Sequence, residues 1–265
     1  MKSIINGVLK DNEKIDEWKK KGNIYEVLRV IDGSPLFLKE HLERIKKSTE
    51  KVDTHILNIE IYKLINEVDK RINKNIFISF DPINGDRAIF FITGFYPPSD
   101  WYDTGIKINT LNIKRKNPNL KVYDIDYKKT IEDYLAKTGV FETLITDDGM
   151  INEGSRSNVF FIKGNKILTP SVEAVLPGIT REKVFQAAME NNIEIVETQI
   201  FIEDLASFDG AFITGTSIDI LPVNRIDEIE LQTTDSNCFI KLLKAFKKLK
   251  EEDLGIINVG KNQIQ

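Results

Sequence analysis

The stretch Thr143–Val159, T-L-I-T-D-D-G-M-I-N-E-G-S-R-S-N-V, organises the rest of the chain. Two β-prone runs flank its centre, 141–146 and 158–162, and Asp147-Asp148-Gly149 between them predicts a tight turn, because Asp and Gly tolerate turn angles. The polar and small residues 153–158 then lead into an apolar strand, which is an unusual opening for a strand. Glu153 therefore belongs either to a polar site held by rigid backbone or to an exposed loop, and the stretch alone favours the loop.

Composition excludes several classes of protein. The 265 residues can form two compact domains or one large one. A net charge of -4 argues against a general nucleic-acid binder, and no segment approaches the ~18 apolar residues that span a membrane. Cys238 is the only cysteine, so an intrachain disulfide or a cysteine zinc cluster is excluded, and we expect a reducing, cytoplasmic location. His41 and His55 lack metal-ligand spacing, which favours structural roles and no metal site.

Hydrophobic periodicity predicts an α+β protein with two domains. The charged, proline-containing segment 114–120 is the best linker candidate. We therefore predict a small N-terminal domain over 1–113 and a larger domain over 121–265. The predicted strands of the first half are 3–9, 24–30, 35–38, 76–80, 87–96 and 105–113, and the predicted helices of the chain include 39–51, 58–72 and 125–137.

Three clusters would suit a phosphate group. Gly178-Ile179-Thr180 precedes a predicted helix, whose free N–H groups and dipole favour an anion. Gly215-Thr216-Ser217 follows a strand and offers hydroxyls and close backbone approach. Arg44, on the first predicted helix, could contact a phosphate through two hydrogen bonds. Taken singly, each is explained as well by a capped helix, a turn or a surface arginine.

These clusters occur in order with other motifs. The chain resembles the class IV aminotransferases, the fold type IV pyridoxal-phosphate (PLP) enzymes, which include branched-chain and D-amino-acid aminotransferases and aminodeoxychorismate lyase. Such resemblance implies a small N-terminal α/β domain and a larger, β-rich C-terminal domain with helices. The matching blocks are I-Y-E-V-L-R-V (24–30), E-H-L-E-R-I (40–45), a lysine, I-N-E-G-S-R-S-N-V-F-F-I (151–162), L-T-P (168–170), L-P-G-I-T-R (176–181) and T-G-T-S-I-D-I-L-P-V (214–223).

The resemblance assigns roles to single residues. Lys121, which lies 32 residues before Glu153, is expected to form the Schiff base with PLP. Lys128 and Lys129 fall on the predicted helix, where we expect them to be solvated. Glu153 is expected to face the pyridine nitrogen, and the role of Arg156 stays open. The other assigned residues are Arg44, Ile179, Thr180, Thr216 and Ser217 at the phosphate, Asn158 near the ring and Tyr25 on the substrate side.

The activity implied by the resemblance is amino-group transfer between a small amino acid and a 2-oxo acid, in a homodimer. Two alternatives remain: a lyase on the same scaffold that releases pyruvate, and a non-catalytic cofactor-binding relative. The segment R-A-I-F-F-I-T-G-F-Y-P-P (87–98) contains neither the Arg and His pair of the D-amino-acid enzymes nor the Arg-Pro step of the branched-chain enzymes. The substrate and its stereochemistry therefore remain open.

Overall fold

A computed structural model describes residues 2–11, 14–69 and 72–256. The α+β class predicted from the sequence is confirmed, because the chain folds into two sheets with helices packed against them. The first sheet has six strands in the order β2-β1-β6-β5-β3-β4. Its elements are β1 (Lys2–Ile5), β2 (Val8–Asp11), β3 (Ile24–Ile31), β4 (Ser34–Pro35), β5 (Asn73–Phe80) and β6 (Arg87–Ile92), with helices α1 (Leu38–Ser48) and α2 (Thr54–Ile65).

Strand β3 carries the core of this first unit. Its side chains alternate, so Ile24, Leu28 and Val30 are buried together with apolar residues of α1 and α2. Alternation places Glu26 on the same buried face, where a carboxylate is stable only with partners.

Helix α2 begins four residues before the predicted start at residue 58. Asp53 is its N-cap, and the Asp53 carboxylate accepts hydrogen bonds from the N–H groups of His55 (2.9 Å) and Ile56 (3.1 Å). Such capping fixes the first turn of a helix, whereas the apolar spacing used for the prediction marks only the buried face. The helix also ends earlier than predicted, at Ile65.

The second sheet has ten strands. Nine of them follow the order β12-β11-β10-β14-β15-β7-β8-β9-β13, and β16 pairs with β15. The strands are β7 (Ile106–Asn112), β8 (Thr143–Asp147), β9 (Met150–Gly154), β10 (Asn158–Lys163), β11 (Lys166–Thr169), β12 (Glu194–Glu197), β13 (Ile200–Phe201), β14 (Gly210–Gly215), β15 (Asp219–Ile226) and β16 (Ile229–Glu230). The helices are α3 (Trp101–Thr104), α4 (Ile125–Thr138), α5 (Ile179–Glu190) and α6 (Asn237–Asp253).

Strand β7 belongs to the second sheet, although its residues lie within the predicted small domain 1–113. It pairs in parallel with β15 and with β8. A division of the chain between the two sheets therefore falls before residue 106. The exact domain boundary and the linker at 114–120 stay predictions.

The central hairpin forms at the predicted turn. Asp147 pairs with Met150, and Asp148 (φ 50°) and Gly149 (φ 79°) occupy the two loop positions with positive φ, as in a type I′ turn. Beyond β9, residues 155–157 connect to β10, where Asn158 pairs with Thr214 of β14. This register brings the segment after Glu153 beside the Gly215-Thr216-Ser217 loop.

Two further observations concern the described residues. None of their helices combines the length and apolar character needed to cross a membrane. Within the same residues, no group of three His, Cys, Asp or Glu side chains is placed to hold a metal ion.

Candidate active site

A cavity of about 350 Å³ lies where both sheets contribute residues. Its wall combines β3 and α1 with the segment that leads into α4, the β9–β10 connection, the start of α5 and the end of β14. The structure thus brings together residues that lie far apart along the chain. The predicted site residues that line the cavity are Tyr25, Arg44, Lys121, Glu153, Asn158, Ile179, Thr180 and Thr216.

Ser217 is the predicted site residue outside this lining. Its hydroxyl accepts a hydrogen bond from the Asn75 side-chain amide at 2.7 Å, which directs the serine toward β5. Thr216, directly before it, lines the cavity. The role of Ser217 at a phosphate stays a prediction, and the Ser217 hydroxyl is already engaged with Asn75.

Lys121 is fixed by its backbone. Its carbonyl accepts from the Tyr25 N–H at 3.0 Å, and Val122 bridges to Ile24, so strand β3 holds the lysine against the cavity. The Lys121 Nζ lies 5.0 Å from the centre of the Tyr25 ring. Burial lowers the pKa of the Lys121 ammonium, helped by the charge of Arg44 and opposed by Tyr25. A lowered pKa leaves more neutral amine, the form that attacks an aldehyde.

We expect this lowered pKa to be visible in the pH dependence of labelling. With formaldehyde and cyanoborohydride, methylation of Lys121 should rise with pH and level off below pH 10.5, the ordinary lysine value, because only the neutral amine reacts. Peptide mass mapping across a pH series measures this, with exposed Lys129 as the internal control. Labelling of Lys121 that still climbs through pH 10.5 would contradict the expectation.

Lys128 departs from the prediction of solvent exposure. It is half-buried and lines the cavity, whereas Lys129 is exposed as predicted. The difference follows from the start of α4. Asp124 caps the helix by accepting from the N–H groups of Asp126 and Tyr127, and this sets the side of the helix on which Lys128 lies.

Glu153 is a buried carboxylate with two partners. It forms an ion pair with Arg115 and accepts from the Leu176 N–H at 3.0 Å. Burial raises the pKa of the Glu153 carboxyl, while the Arg115 guanidinium and the Leu176 N–H act against this rise. Arg115 was missed by sequence reasoning because it lies in the charged 114–120 segment, where nothing distinguishes it from its solvated neighbours.

Arg44 is held by an acid that sequence reasoning also missed. Its Nε and Nη2 each lie 2.7 Å from a different oxygen of Glu26, and Nη1 donates to the Pro177 carbonyl at 3.0 Å, next to the start of α5. His41 Nδ1 lies 2.8 Å from the same carboxylate. Burial would raise the pKa of Glu26, but Arg44 and His41 hold it well below its usual range. The buried alternation of β3 was the available signal, since a carboxylate at an inward position requires cations.

Glu142 fixes the shape of the β9–β10 connection. Only 1% of its surface is exposed. Its carboxylate accepts from the N–H groups of Thr143 (2.9 Å), Ser155 (3.1 Å) and Arg156 (3.2 Å) and from the hydroxyls of Ser155 and Ser157. The connection after Glu153 is therefore rigid without any ligand.

Arg156 sits at the exposed side of the cavity lining. Its Nη2 donates to the Phe141 carbonyl at 2.7 Å, and its guanidinium lies 5.3 Å from the Phe141 ring centre. Contacts within the protein thus account for the position of this side chain.

The donors of this cavity suit a phosphate-bearing aromatic group such as PLP. Among the described residues, the buried oxygens of Tyr127 and Thr214 have no hydrogen-bond partner, and both residues line the cavity. A buried polar atom without a partner costs about 1–3 kcal/mol, which a bound group would recover. Helix α5 begins after Gly178 with no side-chain cap, so its first N–H groups are available to an anion.

Comparison with known proteins identifies the family. The family model described as "Amino-transferase class IV" matches residues 23–226. The chain belongs to this family. Class IV membership confirms the resemblance on which the site residues were assigned.

Individual relatives of this class IV chain differ in name. A Methanocaldococcus jannaschii protein, whose name gives branched-chain-amino-acid aminotransferase as an inferred activity, is 30% identical over 77% of this chain and 78% of its own length. The D-alanine aminotransferase of Bacillus licheniformis is 27% identical over 86% of this chain and 89% of its own. The branched-chain aminotransferase of the archaeon Thermoproteus uzoniensis, solved with norvaline, superposes with a TM-score of 0.81 at 22% identity, over 97% of this chain and 96% of its own. This last likeness concerns the fold alone.

Proposed function

We propose that this chain is a PLP-dependent aminotransferase that exchanges an amino group between a small amino acid and a 2-oxo acid, with Lys121 as the point of covalent attachment. The observation that carries the proposal is that Lys121 and Glu153 line the same cavity. Lys121 is an amine with a lowered pKa, and Glu153 is a buried carboxylate held by rigid backbone. A protein that only bound a phosphate compound would need neither.

The lining residues suggest how PLP would be held. Glu153 would meet the pyridine nitrogen, and Asn158 lies nearby at the start of β10. The phosphate would be received by Arg44, by Thr216 and by the N–H groups of Ile179 and Thr180 at the start of α5. When bound, PLP supplies an electron-withdrawing ring that makes the α-proton of an amino acid removable.

The residues of the chain then have distinct tasks. With PLP bound, the freed amine of Lys121 would be the base that takes the proton from the substrate α-carbon and returns it at the cofactor's C4′ carbon. Glu153, paired with Arg115, would place a negative charge against the pyridine nitrogen. Tyr25 lies against Lys121 and borders the substrate side. The amino group taken from the first substrate would pass to a second 2-oxo acid, with Lys121 moving the same proton in the reverse direction.

An exchange assay tests this function. Purified protein is incubated with PLP, a panel of L- and D-amino acids and a 2-oxo acid, and we expect transfer of the amino group to the acceptor. Release of pyruvate from an aminodeoxychorismate-type substrate without an acceptor would instead assign the lyase activity. Absence of both reactions in protein that binds PLP would assign a non-catalytic relative.

Replacing Glu153 with glutamine is expected to slow turnover by a factor on the order of 100 or more, because preorganised charge at a reacting group has effects of this size. PLP should still attach to Lys121. Steady-state turnover and the absorption of the bound cofactor measure the two properties. Glu173→Gln, a change at an exposed glutamate, serves as control. Near wild-type turnover in the Glu153 variant would remove this residue from its proposed role.

The proposal includes a homodimer in the cytoplasm. A dimer is the arrangement that the family resemblance implies, and light scattering measures it directly. The single cysteine, Cys238, is buried and unpaired, consistent with a reducing compartment.

A further inference from the structure

One half-buried cation of the cavity is not used by the proposed chemistry. Lys128 lines the cavity and has no ion pair with any carboxylate of the described residues. Every other cation that lines the cavity, apart from Lys121, either has a carboxylate partner or is exposed. Among the other lining cations, Lys21 pairs with Asp126, Arg44 with Glu26 and Arg115 with Glu153, Lys116 and Arg156 are exposed, and Lys121 is the proposed attachment point.

The position of Lys128 is unfavourable for a lysine in the protein alone. It lies in the first turn of α4, where the helix dipole disfavours a positive charge. Its Nζ lies 5.0 Å from the Tyr25 ring centre and 5.1 Å from that of Tyr123, so aromatic faces stabilise it only in part. A bound anion would offset the remaining cost.

Lys128 also lies close to the amine that a substrate would displace, because its charge acts on Lys121. Lys121 and Lys128 both have their Nζ atoms 5.0 Å from the Tyr25 ring centre. When an amino acid takes the place of the Lys121 amine, its carboxylate carbon lies about 2.5 Å from its nitrogen, as standard bond lengths dictate. The carboxylate would thus lie within a few ångströms of the Lys121 position, next to Tyr25, and Lys128 lies beside the same ring.

The two arginines on described strands of the first sheet form ion pairs outside the cavity. Arg87 of β6 forms an ion pair with Glu60 of α2, and Arg29 of β3 pairs with Asp219 at 3.1 Å. Neither lines the cavity. Apart from Lys121, Lys128 is therefore the half-buried cation beside Tyr25 that has no carboxylate partner among the described residues.

We propose, resting on the proposed function, that Lys128 binds the α-carboxylate of the amino-acid and 2-oxo-acid substrates. The recognising cation would thus come from helix α4 of the large unit. The residue distinguishes 2-amino and 2-oxo acids from simple amines. It does not select the side chain of the substrate.

The test compares Lys128→Met with Lys129→Met, a matched change at the adjacent exposed lysine, and with Lys128→Arg, which keeps the charge. PLP-loaded proteins are titrated with propionate and with succinate, and binding is followed by the absorption of the cofactor. We expect Lys128→Met to weaken binding of both acids by about tenfold to a hundredfold, the range for a hydrogen bond to a charged group. Lys129→Met should bind as wild type, and Lys128→Arg should recover part of the loss.

A second measurement needs no cofactor. Burial would raise the pKa of Tyr25, but Lys121 and Lys128 bring it down to about 8. In cofactor-free Lys128→Met, the ultraviolet titration of Tyr25, identified with a Tyr25→Phe reference, should move to higher pH. An unchanged titration would contradict the placement of Lys128 beside Tyr25.

Three results would overturn the proposal. Unchanged propionate binding in Lys128→Met would show that another group receives the carboxylate. Weakened binding of succinate alone would assign Lys128 to a second, side-chain carboxylate. Loss of covalent PLP attachment in Lys128→Met would assign it to the cofactor. Failure of the proposed function itself is distinguishable, because it is measured by the exchange assay on wild-type protein, which would then transfer no amino group to a 2-oxo acid.

Discussion

Lys121→Ala is expected to abolish covalent attachment of PLP and to reduce amino-group exchange by at least about a thousandfold. The variant loses both the amine that attacks the cofactor aldehyde and the base that moves the α-proton, and a positioned acid–base group alone contributes factors of about 100–10,000. Folding should be preserved, because backbone contacts to Tyr25 and Ile24 hold this segment. The measurement is borohydride reduction of the loaded protein, followed by peptide mapping and by turnover assays.

Lys129→Ala is the matched control for this experiment, since it removes an exposed lysine from the same region. It should retain full labelling and full turnover. Borohydride labelling that maps to Lys128 or Lys129 in wild-type protein would mean that the attachment residue has been misassigned.

Glu26→Gln is expected to lower the free energy of unfolding by about 3–5 kcal/mol, because it leaves the buried Arg44 without its charge partner. The variant should also bind PLP more weakly, since Glu26 orients Arg44 toward the start of α5. Denaturant unfolding at neutral pH measures the first effect, and equilibrium titration with PLP measures the second.

The pH dependence of this effect has a definite sign. The pKa of Glu26 is lower in the folded protein than the ordinary value of 4.5, so its contribution is present above pH 4.5 and is lost as the pH falls through the folded pKa. Wild-type protein should therefore lose more stability than Glu26→Gln on acidification below pH 4.5. A difference between the two proteins that stays constant from pH 7 into this range would contradict the assignment.

Glu60→Gln provides a control for the loss of a buried carboxylate. Glu60 pairs with Arg87, and neither residue lines the cavity. We expect a loss of stability without a loss of PLP affinity. If both variants weaken PLP binding equally, the effect of Glu26 is a general consequence of destabilisation.

Local signals explain which parts of the fold could be predicted. Helix α4 was predicted to within one residue, because its apolar spacing ends at Gly139, which adopts a left-handed conformation (φ 71°). The start of α2 was misplaced because the cap at Asp53 lies outside the apolar pattern. The sequence predicts strand β7 but not the sheet to which it belongs. Strand partners are set by non-local contacts, which hydrophobic periodicity does not encode.

The same distinction applies to the site. That Lys121, Glu153 and Thr216 would line one cavity could be predicted from the family resemblance, and their roles stay predictions. The places of Arg115 and Lys128 in the cavity could not be predicted. A charged side chain in a linker or on a helix face is expected to be solvated unless the fold shows what surrounds it. Glu26 was within reach of sequence reasoning, since its place in the alternation of β3 required buried partners.

The hydrogen bonds that converge on the Glu142 carboxylate affect how the sequences of related proteins should be interpreted. The serines of E-G-S-R-S-N direct their hydroxyls to Glu142, so this conspicuous string is largely a folding signature. A descendant could keep the string intact, together with Glu142, after losing its lysine and its chemistry. The residues that preserve the architecture and the residue proposed to carry the activity, Lys121, are therefore different positions of the chain.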